Sequence, residues 1–271
     1  MTTTEGNQSM KQILQNALPK SLYLSLKRWD YKKKYKDAFE RSQNVRTTDT
    51  ENGYSYKPFD DKKAIFVHIP KCAGVSVNRA LFGNLAGGHT TLEEYLHIFE
   101  PNFVNSYFKF TIVRNPWDRA VSAYFFLKKG GFNEKDRNWF DKELGSFLSF
   151  DDFVKSWLNK ENIWKLDHFR PQYHYMVDKR EKVPLDFVGF LENLDADFSY
   201  IAKKIGIRAF LPCSNKSEHI NYQDYYNDET KRIVGEVYSE DIKMLGYNFD
   251  NTSLQEQLAS RNTRKKFTLC L

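Results

Sequence analysis

Three apolar runs constrain this chain more than any other feature, because each gives way to a turn and then to residues at helical spacing. Ala64-Ile65-Phe66-Val67-His68-Ile69 has the character of a buried parallel strand. It ends at Pro70 and leads through small residues into a helix from about Val75 to Leu81. Tyr107–Val113 is stopped by Asn115-Pro116, after which Asp118 is placed to open a helix carrying Ala120, Val121, Tyr124, Phe125 and Leu127. Phe187-Val188-Gly189-Phe190 is a third strand, followed by a helix over Asp197–Ile205, and a late helix is expected from about Asp228 to Leu245. Strands separated by helical segments imply right-handed crossovers, hence an α/β sheet covered on both faces. The segment Phe132–Arg180 holds Trp139, Trp157 and Trp164 and has weak strand character. It is expected to form helices over one end of the sheet, where ligands of α/β folds bind beyond the strand C-termini.

Composition narrows the class. With 271 residues, 41% hydrophobic and 16% aromatic, the chain can bury a real core and lies far from the disordered regime. A mean hydropathy of -0.66 and no apolar run near the ~20 residues of a spanning helix exclude an integral membrane protein. No secretory signal is visible at Met1-Thr-Thr-Thr-Glu, and a cytoplasmic protein is expected. Cys72, Cys213 and Cys270 are too few and too far apart for a disulfide framework or a zinc site, so no metal is expected. Residues 1–50 hold ten Lys and Arg against five Asp and Glu, leaving 31 against 30 for residues 51–271. An anion site in that nearly neutral body must be built from a few placed groups, and a nucleic-acid-binding protein, which would carry basic residues across its body, is disfavoured.

Two strand-to-helix junctions carry such groups. In Ile69-Pro70-Lys71-Cys72-Ala73-Gly74-Val75-Ser76, small residues let backbone N–H groups face an anion at a helix N-terminus, and Lys71 and Ser76 add donors. It is not a Walker A loop, because Lys71 precedes Gly74 instead of following the last glycine. In Ile112-Val113-Arg114-Asn115-Pro116-Trp117-Asp118-Arg119-Ala120-Val121-Ser122, the Arg114 fork stands at the strand end and the Ser122 hydroxyl about one turn into the helix. Two anion cradles at two strand ends imply a ligand with two phosphate-like groups.

At this pair of motifs the sequence resembles the sulfotransferases that use 3′-phosphoadenosine 5′-phosphosulfate, in particular the carbohydrate group that begins His-Ile-Pro-Lys, and it looks closest to bacterial members. The likeness extends through Val188-Gly189-Phe190-Leu191-Glu192-Asn193-Leu194 and Tyr222-Gln223-Asp224-Tyr225-Tyr226 to Leu245-Gly246-Tyr247, roughly residues 62–249. The resemblance implies a P-loop-kinase-like parallel sheet with a helical insertion over the substrate cleft. It implies donor binding by Lys71, Cys72, Ala73, Gly74, Val75 and Ser76 at the phosphosulfate and by Arg114 and Ser122 at the 3′-phosphate. Lys216 and Ser217 would close over the nucleotide, and the acceptor would be a carbohydrate. Cys72 and Val75 stand where many members have Thr, so Val75 offers only its N–H and Cys72 reads as a packed thiol.

Sulfuryl transfer to a sugar hydroxyl needs in-line attack, a base for the hydroxyl proton and positive charge at the leaving phosphate, and it requires no metal. Histidine is the natural base near neutral pH. His89, in Gly87-Gly88-His89-Thr90-Thr91, lies between the cradles, and its placement resembles the Gly-His segment of glycosaminoglycan uronyl sulfotransferases, where that histidine is the base. The alternative is a loop or capping histidine, with Thr90 or Thr91 as the helix cap. His68 reads as structural and Glu192 as able to orient a neighbour. His168, Arg170, Gln172 and His174 combine planar donors with aromatic neighbours and suit the acceptor, with His174 as second candidate for the base. The competing enzyme class, a nucleotide kinase, lacks the Gly-x-x-x-x-Gly-Lys-Ser/Thr signature and an evident Mg²⁺ carboxylate.

The expected organisation is a basic helical extension over residues 1–54, the catalytic domain over 55–250 and a polar, basic tail over 251–271. Residues 10–36 join Leu22, Leu26 and Trp29 to a run of lysines. This stretch is read as packing on the domain or as a peripheral contact with an anionic membrane.

Overall fold

The computed structural model describes residues 18–178, 185–211 and 221–263. Cys213, Lys216, Ser217, Cys270 and the first part of the basic extension lie outside the described residues.

Ala64–Val67 (β1) is buried at every position, as a strand covered on both faces must be. It pairs in parallel with Phe108–Val113 (β2), register Ala64 to Phe108 through Val67 to Thr111. The Thr111 hydroxyl donates to the Val67 carbonyl at 2.7 Å and fixes the strand ends side by side. Phe187–Phe190 (β3) pairs in parallel on the other edge of β2, Phe110 opposite Phe187, giving the order β1-β2-β3. The fold is thus α/β, a small parallel sheet flanked by helices. β1 stops at Val67, two residues before the apolar run ends, and its pairing with β2 ends there too.

Helices Lys20–Lys34 (α1) and Lys36–Thr47 (α2) meet at Tyr35, followed by Lys57–Lys62 (α3) before β1. Tyr23 and Leu24 of α1 belong to the main core, and Arg46 of α2 bonds Asp60 and Glu100. After β1 come Gly74–Phe82 (α4), Leu92–Ile98 (α5) and Pro101–Ser106 (α6). After β2 comes Pro116–Lys128 (α7). This helix begins two residues earlier than the Asp118 reading: Asn115 caps it by accepting from the Trp117 N–H, and Pro116 has no N–H to satisfy. Asp118 is thereby free for another partner.

The tryptophan-rich segment folds as Glu134–Glu143 (α8), Phe150–Ser156 (α9), a 3₁₀ turn over Asn162–Trp164 and Gln172–Met176 (α10). Past β3 lie Leu194–Ile205 (α11), then Asp228–Val237 (α12), Ser239–Leu245 (α13) and Leu254–Thr263 (α14). The expected late helix is two helices, broken at Tyr238 (φ -104°, ψ 26°), whose hydroxyl is spent on the Phe169 carbonyl at 2.8 Å. One core surrounds the sheet, and a second, rich in aromatics, joins α7, α9 and α12 through Tyr124, Phe153, Trp157 and Val234.

Candidate active site

The C-terminal ends of β1 and β2 open into a cavity of about 710 Å³. Lys71, Ala73, Gly74, Val75, Ser76, His89, Arg114, Ser122 and His168 all line it, so residues far apart in sequence share one volume.

The loop at the end of β1 is tightly built. Lys71 (φ 69°) and Ala73 (φ 59°) both take the left-handed conformation, which costs a side-chain-bearing residue of order 1 kcal/mol and persists only where the surroundings enforce it. Enforcement comes from beneath. The Pro70 carbonyl accepts from Arg119 Nε at 3.0 Å, the Cys72 N–H bonds Ile69 O at 3.3 Å, and the His68 ring packs against Gly74. The first turn of a helix leaves its N–H groups without intrahelical acceptors; Gly74, Val75 and Ser76 form that turn and face the cavity.

Lys71 lays its ammonium 3.6 Å above the Phe126 ring centre. Burial, then the neighbouring Arg114, push its pKa down to about 8. Cys72 is fully buried with its sulfur 3.5 Å from Gln172 Oε1, and burial pushes the thiol up to about 12. Its side chain is packed behind the loop and does not line the cavity.

Arg114 is held in a fork. Its Nε and Nη2 donate to the two Asp118 oxygens at 2.7 Å each, and Nη1 donates to the Lys71 carbonyl at 3.1 Å. Burial works against its charge, but Asp118 outweighs it and keeps the guanidinium above its ordinary value. The carboxylate four residues on, read from sequence as a helix opener, thus sets the guanidinium plane. Gln172, fully buried, bonds the Arg114 N–H and carbonyl through its amide at 2.9 and 2.8 Å. Glu192 accepts from the Asn115 N–H at 2.6 Å and from the Tyr247 hydroxyl at 3.0 Å. Both side chains brace the second cradle from behind.

Across the cavity stand three imidazoles. His89 meets His68 edge to face at 4.9 Å and His168 at 5.5 Å. Burial, with His89 nearby, drives His68 well below its ordinary value and His168 down to about 3, so both are neutral at pH 7. His89 Nδ1 lies 3.9 Å from Asp167 Oδ2, and Asp167 is gripped on its other oxygen by Arg170 at 2.8 Å. The contact with His89 lowers the Asp167 pKa, so that carboxylate is ionised. Thr91, through a capping box with Glu94, is the N-cap of α5, which leaves His89 without capping duty.

Arg170, Gln172 and His174 are not brought to the cavity wall. Arg170 reaches Asp167, Gln172 braces Arg114, and His174 stands edge-on to Trp164 at 5.1 Å. Conversely, the wall includes Tyr54, Phe126, Lys129, Phe132 and Asp167, which sequence reasoning passed over. Asp167 immediately precedes His168, and an acid abutting a histidine-arginine motif was a readable sign. Arg119 was readable too, as a charge on the otherwise apolar face of α7. It is 2% exposed and donates to the carbonyls of Pro70, His168 and Arg170, tying the first cradle to the histidine side. Among the described residues no cluster of His, Cys, Asp and Glu could hold a metal ion.

The chain is similar to carbohydrate sulfotransferase 10 of Xenopus laevis, 25% identical over 237 residues, covering 69% of this chain and 66% of that protein. It is 24% identical over 235 residues to carbohydrate sulfotransferase 10 of Mus musculus, covering 69% and 65%. The chain therefore spans about two thirds of the length of these relatives. An uncharacterized protein of Archaeoglobus fulgidus is 36% identical over 104 residues, 38% of this chain and 71% of that one. No solved structure matches at a significant level. The model of the sulfotransferase family matches residues 55–248, from the end of the linker to past α13, and so takes in both cradles, His89 and Asp167: the chain belongs to the sulfotransferase family.

Proposed function

We propose that this protein transfers a sulfuryl group from 3′-phosphoadenosine 5′-phosphosulfate to a hydroxyl of a carbohydrate. The observation that carries the reading is the single cavity in which Lys71, Arg114 and His89 meet. Its volume suits a nucleotide with room for part of an acceptor. Family membership supports a sulfuryl donor, and the names of the relatives support a carbohydrate acceptor.

In this reading the Pro70–Ser76 loop is a variant of the P-loop of kinase-like sheets and takes the phosphosulfate. Arg114 and Ser122 take the 3′-phosphate, with Lys216 and Ser217 over the nucleotide. The helices between Glu134 and Met176 cover the acceptor side. The acceptor oxygen attacks sulfur as the bond from sulfur to the bridging phosphate oxygen breaks. His89 receives the hydroxyl proton; with Nδ1 turned to Asp167, Nε2 is the nitrogen left for it. Lys71, still mostly protonated at pH 7, stabilises the charge that grows on the leaving phosphate.

The test is a calorimetric titration with 3′-phosphoadenosine 5′-phosphate beside ATP, followed by transfer of radiolabelled sulfate to a panel of glycans. Selective binding of the bisphosphate with label on a glycan is expected. Preference for ATP, or label on no sugar, overturns the proposal.

A further inference from the structure

Among the described residues, helix α1 is docked by one face only. Tyr23 and Leu24 are 2% and 1% exposed, Arg28 donates to the Ile98 carbonyl and to Glu100, and Tyr31 lies flat on His97 at 4.7 Å. The other face carries Leu22, Leu26 and Trp29, exposed by 47%, 49% and 62%. Spaced i, i+4 and i+7, they form one stripe along the helix. The stripe continues into Lys33, whose ammonium stands 5.3 Å over the Trp29 ring, beside exposed Lys32 and Lys34.

We propose that this face docks on an anionic lipid bilayer, α1 lying in the headgroup plane of a cytoplasmic, peripheral enzyme. Three observations favour lipid over a protein partner. Residues 20–47 carry nine Lys and Arg against three Asp and Glu, a sign complementary to an anionic leaflet. Exposed apolar groups fringed by lysines fit a surface into which apolar groups sink while ammonium groups remain at the headgroups, whereas protein interfaces are depleted in lysine. One stripe of three side chains falls well short of the about 800 Å² per partner that a stable protein interface uses. Among the described residues no helix is long and apolar enough to cross a membrane, so the contact made by this face lies along the surface. The stretch 10–36 read from sequence extends further toward the N-terminus, but residues 10–17 lie outside the described residues.

The full-length chain is tested by sedimentation with vesicles of phosphatidylserine and phosphatidylcholine, and of phosphatidylcholine alone. Binding to the anionic vesicles at low salt is expected, with loss at high salt and little binding to the neutral ones. The combined variant Leu22→Ser, Leu26→Ser, Trp29→Ser should bind about tenfold more weakly. Its circular-dichroism melt and its affinity for 3′-phosphoadenosine 5′-phosphate should be unchanged, because the three side chains are outside core and cavity. Failure of the wild-type chain to sediment, or equal sedimentation of the variant, overturns the proposal. So does a concentration-dependent dimer in ultracentrifugation that the variant abolishes, since the stripe would then belong to a second copy.

Discussion

The imidazole of His68 fills the space that any side chain at position 74 would need: a Cβ on Gly74 would stand 1.7 Å from His68 Cδ2 and 1.9 Å from Nε2. This contact explains the glycine at the start of α4 more directly than backbone freedom does. It also gives His68 its role as the floor of the first cradle. Gly74→Ala should lose about 1–3 kcal/mol of stability by overpacking and bind 3′-phosphoadenosine 5′-phosphosulfate poorly. A double-mutant cycle with His68→Ala should show strong coupling in the melts. Additive losses would mean that the two residues do not share this contact.

Arg114 and Asp118 form the next testable pair. Asp118→Ala leaves the guanidinium with the Lys71 carbonyl as its remaining partner among the described residues and should cost about 1.5–3 kcal/mol. Arg114→Ala and Ser122→Ala should weaken 3′-phosphoadenosine 5′-phosphate far more than adenosine 5′-phosphate, because under the proposed function each removes a donor that meets the 3′ group. Equal weakening of both nucleotides in titration would assign these residues to folding instead.

The three strands and both junctions were legible because apolar runs, prolines and helical spacing are local signals, and the sequence places Lys71 and Arg114 at strand ends without reference to the rest of the chain. What joins them was not. Asp118 satisfies a helix-start rule in sequence and an arginine fork in space, and Gln172 reads as an acceptor donor until its burial against Arg114 is seen. Tyr54 sits in a stretch whose Thr, Asp, Asn and Gly read as a linker, yet its ring packs over Gly88 beside His89. Pairings across tens of residues are set by the tertiary fold, which no local periodicity encodes.

His89 and Asp167 make a prediction about turnover. Asp167 Oδ2 stands 3.9 Å from His89 Nδ1 and can hold the imidazole in one orientation. His89→Ala should bind the donor normally and lose the chemical step. Asp167→Asn should lower kcat while leaving donor affinity in calorimetry unchanged. Unchanged kcat in a folded Asp167→Asn protein would make Asp167 a packing residue only.

Lys71 makes a prediction about pH. With its pKa near 8 in the folded protein and an ordinary value of 10.5, it loses its charge as pH rises through 8, and kcat/KM should fall there. The unfolded chain binds the extra proton between these values, so this residue makes stability rise with pH across that window, the full penalty being present below it. Lys71→Met should therefore abolish transfer while leaving the melting temperature at neutral pH equal or higher. A marked drop in melting temperature would show that the ammonium contributes net stability through Phe126.

Arg119 binds the two sides of the site through main-chain carbonyls, one from the first cradle and two from the 168–170 turn. A lysine has one ammonium on a flexible stem and cannot span three acceptors with the geometry of a planar fork. Arg119→Lys should thus destabilise the fold, on the order of 3 kcal/mol, because buried carbonyls are left without donors. If its function is to hold Lys71 and His89 in register, kcat should fall more than donor affinity does, since each half of the cavity keeps its own binding groups. The comparison is made well below the variant's melting temperature, with bisphosphate affinity measured by calorimetry and turnover by sulfate transfer. Unchanged kcat in a folded Arg119→Lys protein would restrict Arg119 to core stability and leave the register of the two loops to the sheet.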